Sequence, residues 1–200
     1  LALTLTPAAA RAADVGETLA LCQDEDADSN ARIAACSTII ENSSNEENLR
    51  AEALLNRALT HMDASAYDKA IADLDKAIPL NPDYRVLYYT RGIAHQRSGA
   101  YERALADLNT AHKLDPTDAD VLEARARTHI LLGAPKLAIQ DFDSAIKLDA
   151  TDPDYFSGRG LAHERSGDTS AAIADYRRAL RLDPSHEEAT EGLKRLRDKA

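Results

Sequence analysis

The chain has 200 residues, 44% of them apolar, with no Trp, only two Phe and a formal charge of −10. That length holds one ordinary domain or one short repeat array, and side chains this thin suit closely packed helices more than a thick globular core. No stretch alternates apolar and polar residues as a half-buried strand does, so the expected class is all-α. An acidic surface repels phosphate backbones and anionic lipid, so no nucleic acid partner is expected; no apolar run is long enough to predict membrane insertion.

The first segment, residues 1–13, runs Leu1-Ala2-Leu3-Thr4-Leu5-Thr6-Pro7-Ala8-Ala9-Ala10-Arg11-Ala12-Ala13. It has the character of a signal-peptide remnant: the end of an apolar core, then small residues that allow cleavage after Ala10 or Ala12. The expectation is a periplasmic or secreted protein, or a cytoplasmic one if the segment is not a signal remnant.

Residues 14–50 predict a degenerate helical cap. Ile33, Cys36, Ile39 and Ile40 echo Ile71, Leu74, Ala77 and Ile78 at an offset of 38, with four extra residues in a polar loop between positions 41 and 48. Cys22 and Cys36 are the only cysteines, and in an exported chain such a pair predicts a disulfide. Closing a loop of about 15 residues adds about 3 kcal/mol in the chain-entropy model. Two buried thiols are the alternative; zinc is not expected, because two thiolates alone leave it undercoordinated. Asp24, Asp26 and Asp28 alternate as in a calcium loop, but Ser29 stands where Gly is needed and Ala35 where a bidentate Glu is needed. No metal or cofactor is expected.

From residue 51 the chain falls into four ungapped copies of 34 residues: 51–84, 85–118, 119–152 and 153–186. Position 20 is Ala70, Ala104, Ala138 and Ala172, and position 27 is Ala77, Ala111, Ala145 and Ala179. Position 24 is large (Leu74, Leu108, Phe142, Tyr176), position 8 small (Ala58, Gly92, Ala126, Gly160), and position 32 is Pro82, Pro116, Ala150 and Pro184. Each copy predicts two helices. Gly99, Gly133 and Gly167 stop the first by a left-handed turn, a task left to Ser65 or its neighbours in the first copy. Pro135 and Pro153 fall near helix starts, where a missing N–H costs little.

This pattern resembles the tetratricopeptide repeat (TPR) family over 136 of the 200 residues. It departs from the family in lacking Trp at position 4, in carrying Arg at position 7, and in Ala150. The resemblance implies a right-handed α-solenoid of four TPR helical hairpins, with an N-terminal helical cap over 14–50 and a C-terminal capping helix over 187–200. In that last stretch Ala189, Leu193 and Leu196 share one face.

Polar residues repeat as faithfully as apolar ones. Arg57, Arg91, Arg125 and Arg159 hold position 7, His61, His95, His129 and His163 position 11, and Asp73, Asp107, Asp141 and Asp175 position 23. Equivalent positions in stacked hairpins lie roughly 8–10 Å apart, whereas metal ligands lie about 2 Å from one ion. The histidines therefore predict a structural ladder, and the Arg and Asp predict a pair joining first and second helices. No catalytic constellation is present, and no enzyme activity is expected.

The resemblance also implies that first helices line a concave groove for a protein or peptide partner. Carried over position by position, the partner-binding residues are Leu55, Leu59, Met62, Tyr89, Ile93, Arg97, Arg127 and Arg165. Packing of Leu55, Leu59 and Ile93 against the cap is the competing expectation. The family's carboxylate clamp is not expected, since Leu55, Leu59, Thr90, Asp120 and Ala124 occupy its positions. The expected function is a non-catalytic interaction scaffold, or alternatively a permanent subunit or assembly factor of a cell-envelope complex.

Overall fold

The computed structural model describes residues 7–42 and 44–197, with side chains from 15 onward. Positions 1–6 of the expected signal remnant and 198–200 of the expected last helix lie outside it. The described residues form α-helices and one short 3-10 turn, with no strand, and none of these helices is long and apolar enough to cross a membrane. They divide into two compact units, with the boundary in the chain between Ser98 and Gly99.

The first unit contains α1 (Pro7–Gln23), α2 (Ser29–Glu41), α3 (Glu47–Asp63), α4 (Tyr67–Ala77) with a 3-10 turn (Ile78–Leu80), and α5 (Arg85–Arg97). Asp28 starts α2 by accepting from the N–H groups of Asn30 and Ala31 at 3.0 and 3.1 Å, satisfying donors that have no partner inside the helix. Cys22 and Cys36 form a disulfide with Cα atoms 4.9 Å apart. Both are fully buried and pack with Ala35, Ile39 and Ala53, so the bond joins α1 to α2 inside a small core of its own.

Helix α3 begins at Glu47, ahead of the first repeat's expected start at 51, and ends in a left-handed turn at Ser65. The N–H of Ala66 reaches back to the His61 carbonyl at 2.8 Å. The core of this unit is Leu54, Leu55, Ala58, Ala70, Leu74, Ala77 and Leu87 with their neighbours.

The second unit contains α6 (Tyr101–Leu114), α7 (Ala119–Leu131), α8 (Pro135–Leu148), α9 (Pro153–Ser166), α10 (Thr169–Leu182) and α11 (Glu187–Arg197). Asp118, Asp152 and Asp168 cap α7, α9 and α10. Gly133 and Gly167 have φ of +71° and +89°, which glycine adopts without the Cβ clash other residues meet. The second, third and fourth repeats end in a tight polar turn: Asp115, Asp149 and Asp183 accept from the backbone of Thr117, Thr151 and Ser185 at 2.8–2.9 Å.

Ala104, Ala138, Ala172, Ala111, Ala145 and Ala179 are fully buried, as are Leu108, Phe142 and Tyr176 between them. The alanines let paired helices close up, and the large residue fills what remains. A side chain on Gly158 would meet the Phe142 ring, and one on Gly160 or Gly192 would meet the Tyr176 ring. Each aromatic therefore sits against glycine on a first helix. Helix α11 covers this end, with Ala189 and Leu196 buried against Phe156 and Tyr176.

Candidate functional site

The repeated polar residues bind each other. Arg57 makes a two-point contact with Asp73 at 2.8 and 2.6 Å, Arg125 with Asp141 at 2.9 and 2.6 Å, and Arg159 with Asp175 at 2.8 and 2.7 Å. The fork's remaining nitrogen reaches back one repeat. Arg91 donates to Asp75 at 2.7 Å, Arg125 to Asn109 at 3.3 Å and Arg159 to Asp143 at 2.6 Å. Arg57 donates to Ser37 at 2.7 Å, and Ser37 precedes Asp75 by the 38-residue offset read between the cap and the array. One guanidinium thus fixes both the angle inside a hairpin and the register to the preceding one, as a planar fork can and an ammonium cannot.

The histidines flank the same carboxylates. Nε2 of His61, His129 and His163 lies 3.9, 3.8 and 3.9 Å from Asp73, Asp141 and Asp175. Burial lowers the pKa of His61 and His129, against the opposing pull of the Asp. No group of three or more potential ligands that could hold a metal exists among the described residues.

The eight positions expected to bind a partner fare differently. Leu55 is 6% exposed inside the first unit's core, with Ile40 of α2 packed on the same cluster; it is a packing residue, because apolar area that close to the cap is covered by it. Leu59 and Met62 are half-buried on that cluster, Tyr89 and Ile93 are half-buried on α5, and Arg97 is exposed. In the second unit Arg165 is exposed and lines a cleft of about 500 Å³ with Leu161, Glu164, Glu188 and Arg195.

Arg127 does not stand open as a partner-binding cation. Its Nε donates to Glu123 of α7 at 2.7 Å, and its terminal nitrogens meet Glu188 of α11 at 3.3 and 3.2 Å. Burial works against its charge, but the two carboxylates outweigh it and hold its pKa above the ordinary value. Burial pushes the Glu123 carboxyl up, with Asp154 and Asp152 adding to the effect. Burial acts the same way on Glu188, but Arg127 and Ser157 overcome it and hold that carboxyl below its usual range.

Around this pair His186 Nε2 lies 3.0 Å from Asp154, and Arg195 meets Glu164 at 3.0 Å. Glu188, Ser157, His186 and Arg195 were not among the expected site residues. Continuing the repeat register past 186 puts Glu188 at position 2 of a fifth first helix, which is the signal that finds it.

The chain matches the tetratricopeptide repeat family over residues 58–129 and, by a second family pattern, over 153–186. It belongs to the tetratricopeptide repeat family. No curated protein sequence matches it. Among solved structures it is similar to MamA from Desulfovibrio magneticus RS-1 (19% identity, 88% of this chain and 97% of that one, TM-score 0.76). It is also similar to YrrB, described as a TPR protein with an unusual peptide-binding site (18%, 92% and 88%, 0.72). A third is the first TPR of Spaghetti (RPAP3) bound to the HSP90 peptide SRMEEVD (24%, 57% and 91%, 0.55). At these identities the likeness shows the fold.

Proposed function

We propose that this chain is a non-catalytic scaffold in the bacterial periplasm that binds an extended or helical segment of a partner protein on α3 and α5. The observation that carries the reading is the set of half-buried apolar side chains on those two first helices, Leu59, Met62, Tyr89 and Ile93, beside the exposed Arg97. Arg97 has no ion pair among the described residues. Apolar anchors with a cation at one end suit a segment that is apolar along one face and acidic near its end, and Met adapts to irregular partners. The YrrB and RPAP3 likenesses support a peptide as the kind of ligand.

The disulfide between Cys22 and Cys36 supports an oxidising compartment, as does the signal-like composition of residues 1–13.

The test is affinity capture from a periplasmic extract with the wild-type chain and with a Tyr89→Ala, Arg97→Glu variant of unchanged melting temperature. A partner recovered by the wild type and lost by the variant is the expected result. Equal recovery rejects the reading.

A further inference from the structure

Arg127 stands apart from the other arginines of the array. Position 9 is Leu59, Ile93, Arg127 and Leu161, so the cation occurs in one repeat only, whereas the stacking arginines recur at position 7 in all four. Its contacts also differ. The stacking arginines of this unit hold their own repeat's Asp at 2.6–2.9 Å, the range of strong charge-assisted bonds. Arg127 holds Glu188 at 3.2 and 3.3 Å. Two bonds from Arg127, slacker than those, and one from the Ser157 hydroxyl at 2.8 Å surround the Glu188 carboxylate.

Glu188 reaches this place from 61 residues away in sequence, on the last helix described. Helix α11 has other contacts that seat it. Ala189 and Leu196 are buried, Arg195 is tied to Glu164, and His186 Nδ1 accepts from the N–H of Ala189 at the helix start. The Glu188 side chain also lines the 500 Å³ cleft that contains Leu161 and Arg165. A ligand in that cleft lies against Glu188 from the open side. There it finds an apolar contact in Leu161 and an exposed cation in Arg165, which has no ion pair among the described residues.

We propose that Arg127 and Ser157 form a carboxylate-binding site for an acidic peptide, and that Glu188 fills this site as an internal ligand until such a peptide displaces it. The charge pattern selects the occupant. Arg127 and Ser157 take one carboxylate, Arg165 a second, and Leu161 an apolar residue between them. The site is separate from the surface on α3 and α5, so either can fail without the other. Glu123 occupies Nε of Arg127 in either state; Glu188 occupies the two terminal nitrogens while the site is empty, because half-buried donors of a guanidinium are costly to leave unpaired. Binding then exchanges one carboxylate for another and releases the Glu188 side chain to solvent.

The experiment uses the full chain and two fluorescein-labelled octapeptides, one alternating Glu and Leu, the other alternating Gln and Leu. Fluorescence anisotropy gives the dissociation constants for wild type, for Glu188→Gln, and for Glu188→Gln combined with Arg127→Gln. With the internal carboxylate neutralised, Glu188→Gln should bind the Glu peptide about ten-fold tighter than wild type, the scale of one charged hydrogen bond. The Gln peptide should show no gain, and the double variant should lose it. Amide exchange along α11 should be the same in Glu188→Gln and wild type. The proposal is overturned if the Glu peptide binds neither protein, if both peptides gain equally, if the gain survives Arg127→Gln, or if α11 exchanges faster throughout in Glu188→Gln. The last result would make Glu188 a fastener of the helix.

Discussion

The ring of Phe142 occupies the space that Gly158 leaves without a side chain: a Cβ there would stand 2.6 Å from one of its ring edge carbons. The relation follows a rule along the array. Where position 24 is Leu74 or Leu108, position 6 of the next repeat is Thr90 or Ala124; where it is Phe142 or Tyr176, the facing residue is Gly158 or Gly192. An aromatic at position 24 is thus matched by a glycine on the following helix, as close packing demands.

Gly158→Ala is therefore expected to destabilise the chain by about 2 kcal/mol, the usual scale of overpacking. Combining it with Phe142→Leu, which recreates the Leu108 and Ala124 pairing, should recover at least half of the loss. Thermal unfolding of the two single variants and the double variant gives the coupling. Strict additivity would show that the two residues do not share one space.

The contact of Asp141 with Arg125 inside the third hairpin has both side chains largely buried, at 11% and 14% exposure. Asp141→Asn keeps the shape and removes the charge. It should cost about 2 kcal/mol, the scale of a hydrogen bond to a charged group, because one acceptor oxygen and the carboxylate charge facing Arg125 are lost. Asn109→Ala, which removes the longer contact at 3.3 Å, should cost less. Denaturant unfolding that ranks Asn109→Ala above Asp141→Asn would contradict the assignment of the Asp as the main anchor.

Most of this architecture was legible because it repeats. The buried alanines, the large position 24, the glycine turns and the Arg–Asp pairs each occur several times, so chance agreement is small. Ser65 marks one limit: nothing local in Ala64-Ser65-Ala66 singles out a left-handed residue, and only the spacing to Gly99 places it. The candidate site was less legible. Leu55 has the same sequence character as Leu59, and burial by the cap separates them. Arg127 looks like a free cation until Glu188 arrives from the far end of the unit; the repeat register places Glu188 on a fifth first helix, but the pairing itself occurs once among the described residues and is not repeated in the array.

Stability should fall as the pH drops below about 6.5, the ordinary histidine value. His61 and His129 have folded pKa values below it, chiefly because burial disfavours their charge, with Lys69 and Arg57 adding to this at His61 and Arg125 at His129. Asp73 and Asp141 oppose the shift. Above the ordinary value both states are neutral and the contribution is complete. As the pH falls the unfolded chain takes up protons first, so stability is lost until the folded values are passed. His61→Gln with His129→Gln should flatten the slope of unfolding free energy between pH 7 and 5. An unchanged slope would place the proton uptake elsewhere.

Arg32 gives the opposite kind of prediction, a gain. It lies on α2 and is 6% exposed, yet its Nε is buried without a hydrogen-bond partner, and its side chain makes no ion pair among the described residues. The four position-7 arginines, Arg127 and Arg195 each hold a carboxylate, and Arg97 and Arg165 are exposed. Removing a buried charge from water without a partner is unfavourable, and an apolar side chain of similar volume often does better by about 1–4 kcal/mol. Methionine keeps the unbranched stem that packs in the cap. Arg32→Met should therefore raise the unfolding midpoint with the disulfide intact. A lower midpoint would mean that the guanidinium itself, through contacts at its outer nitrogens, stabilises the cap more than its burial costs.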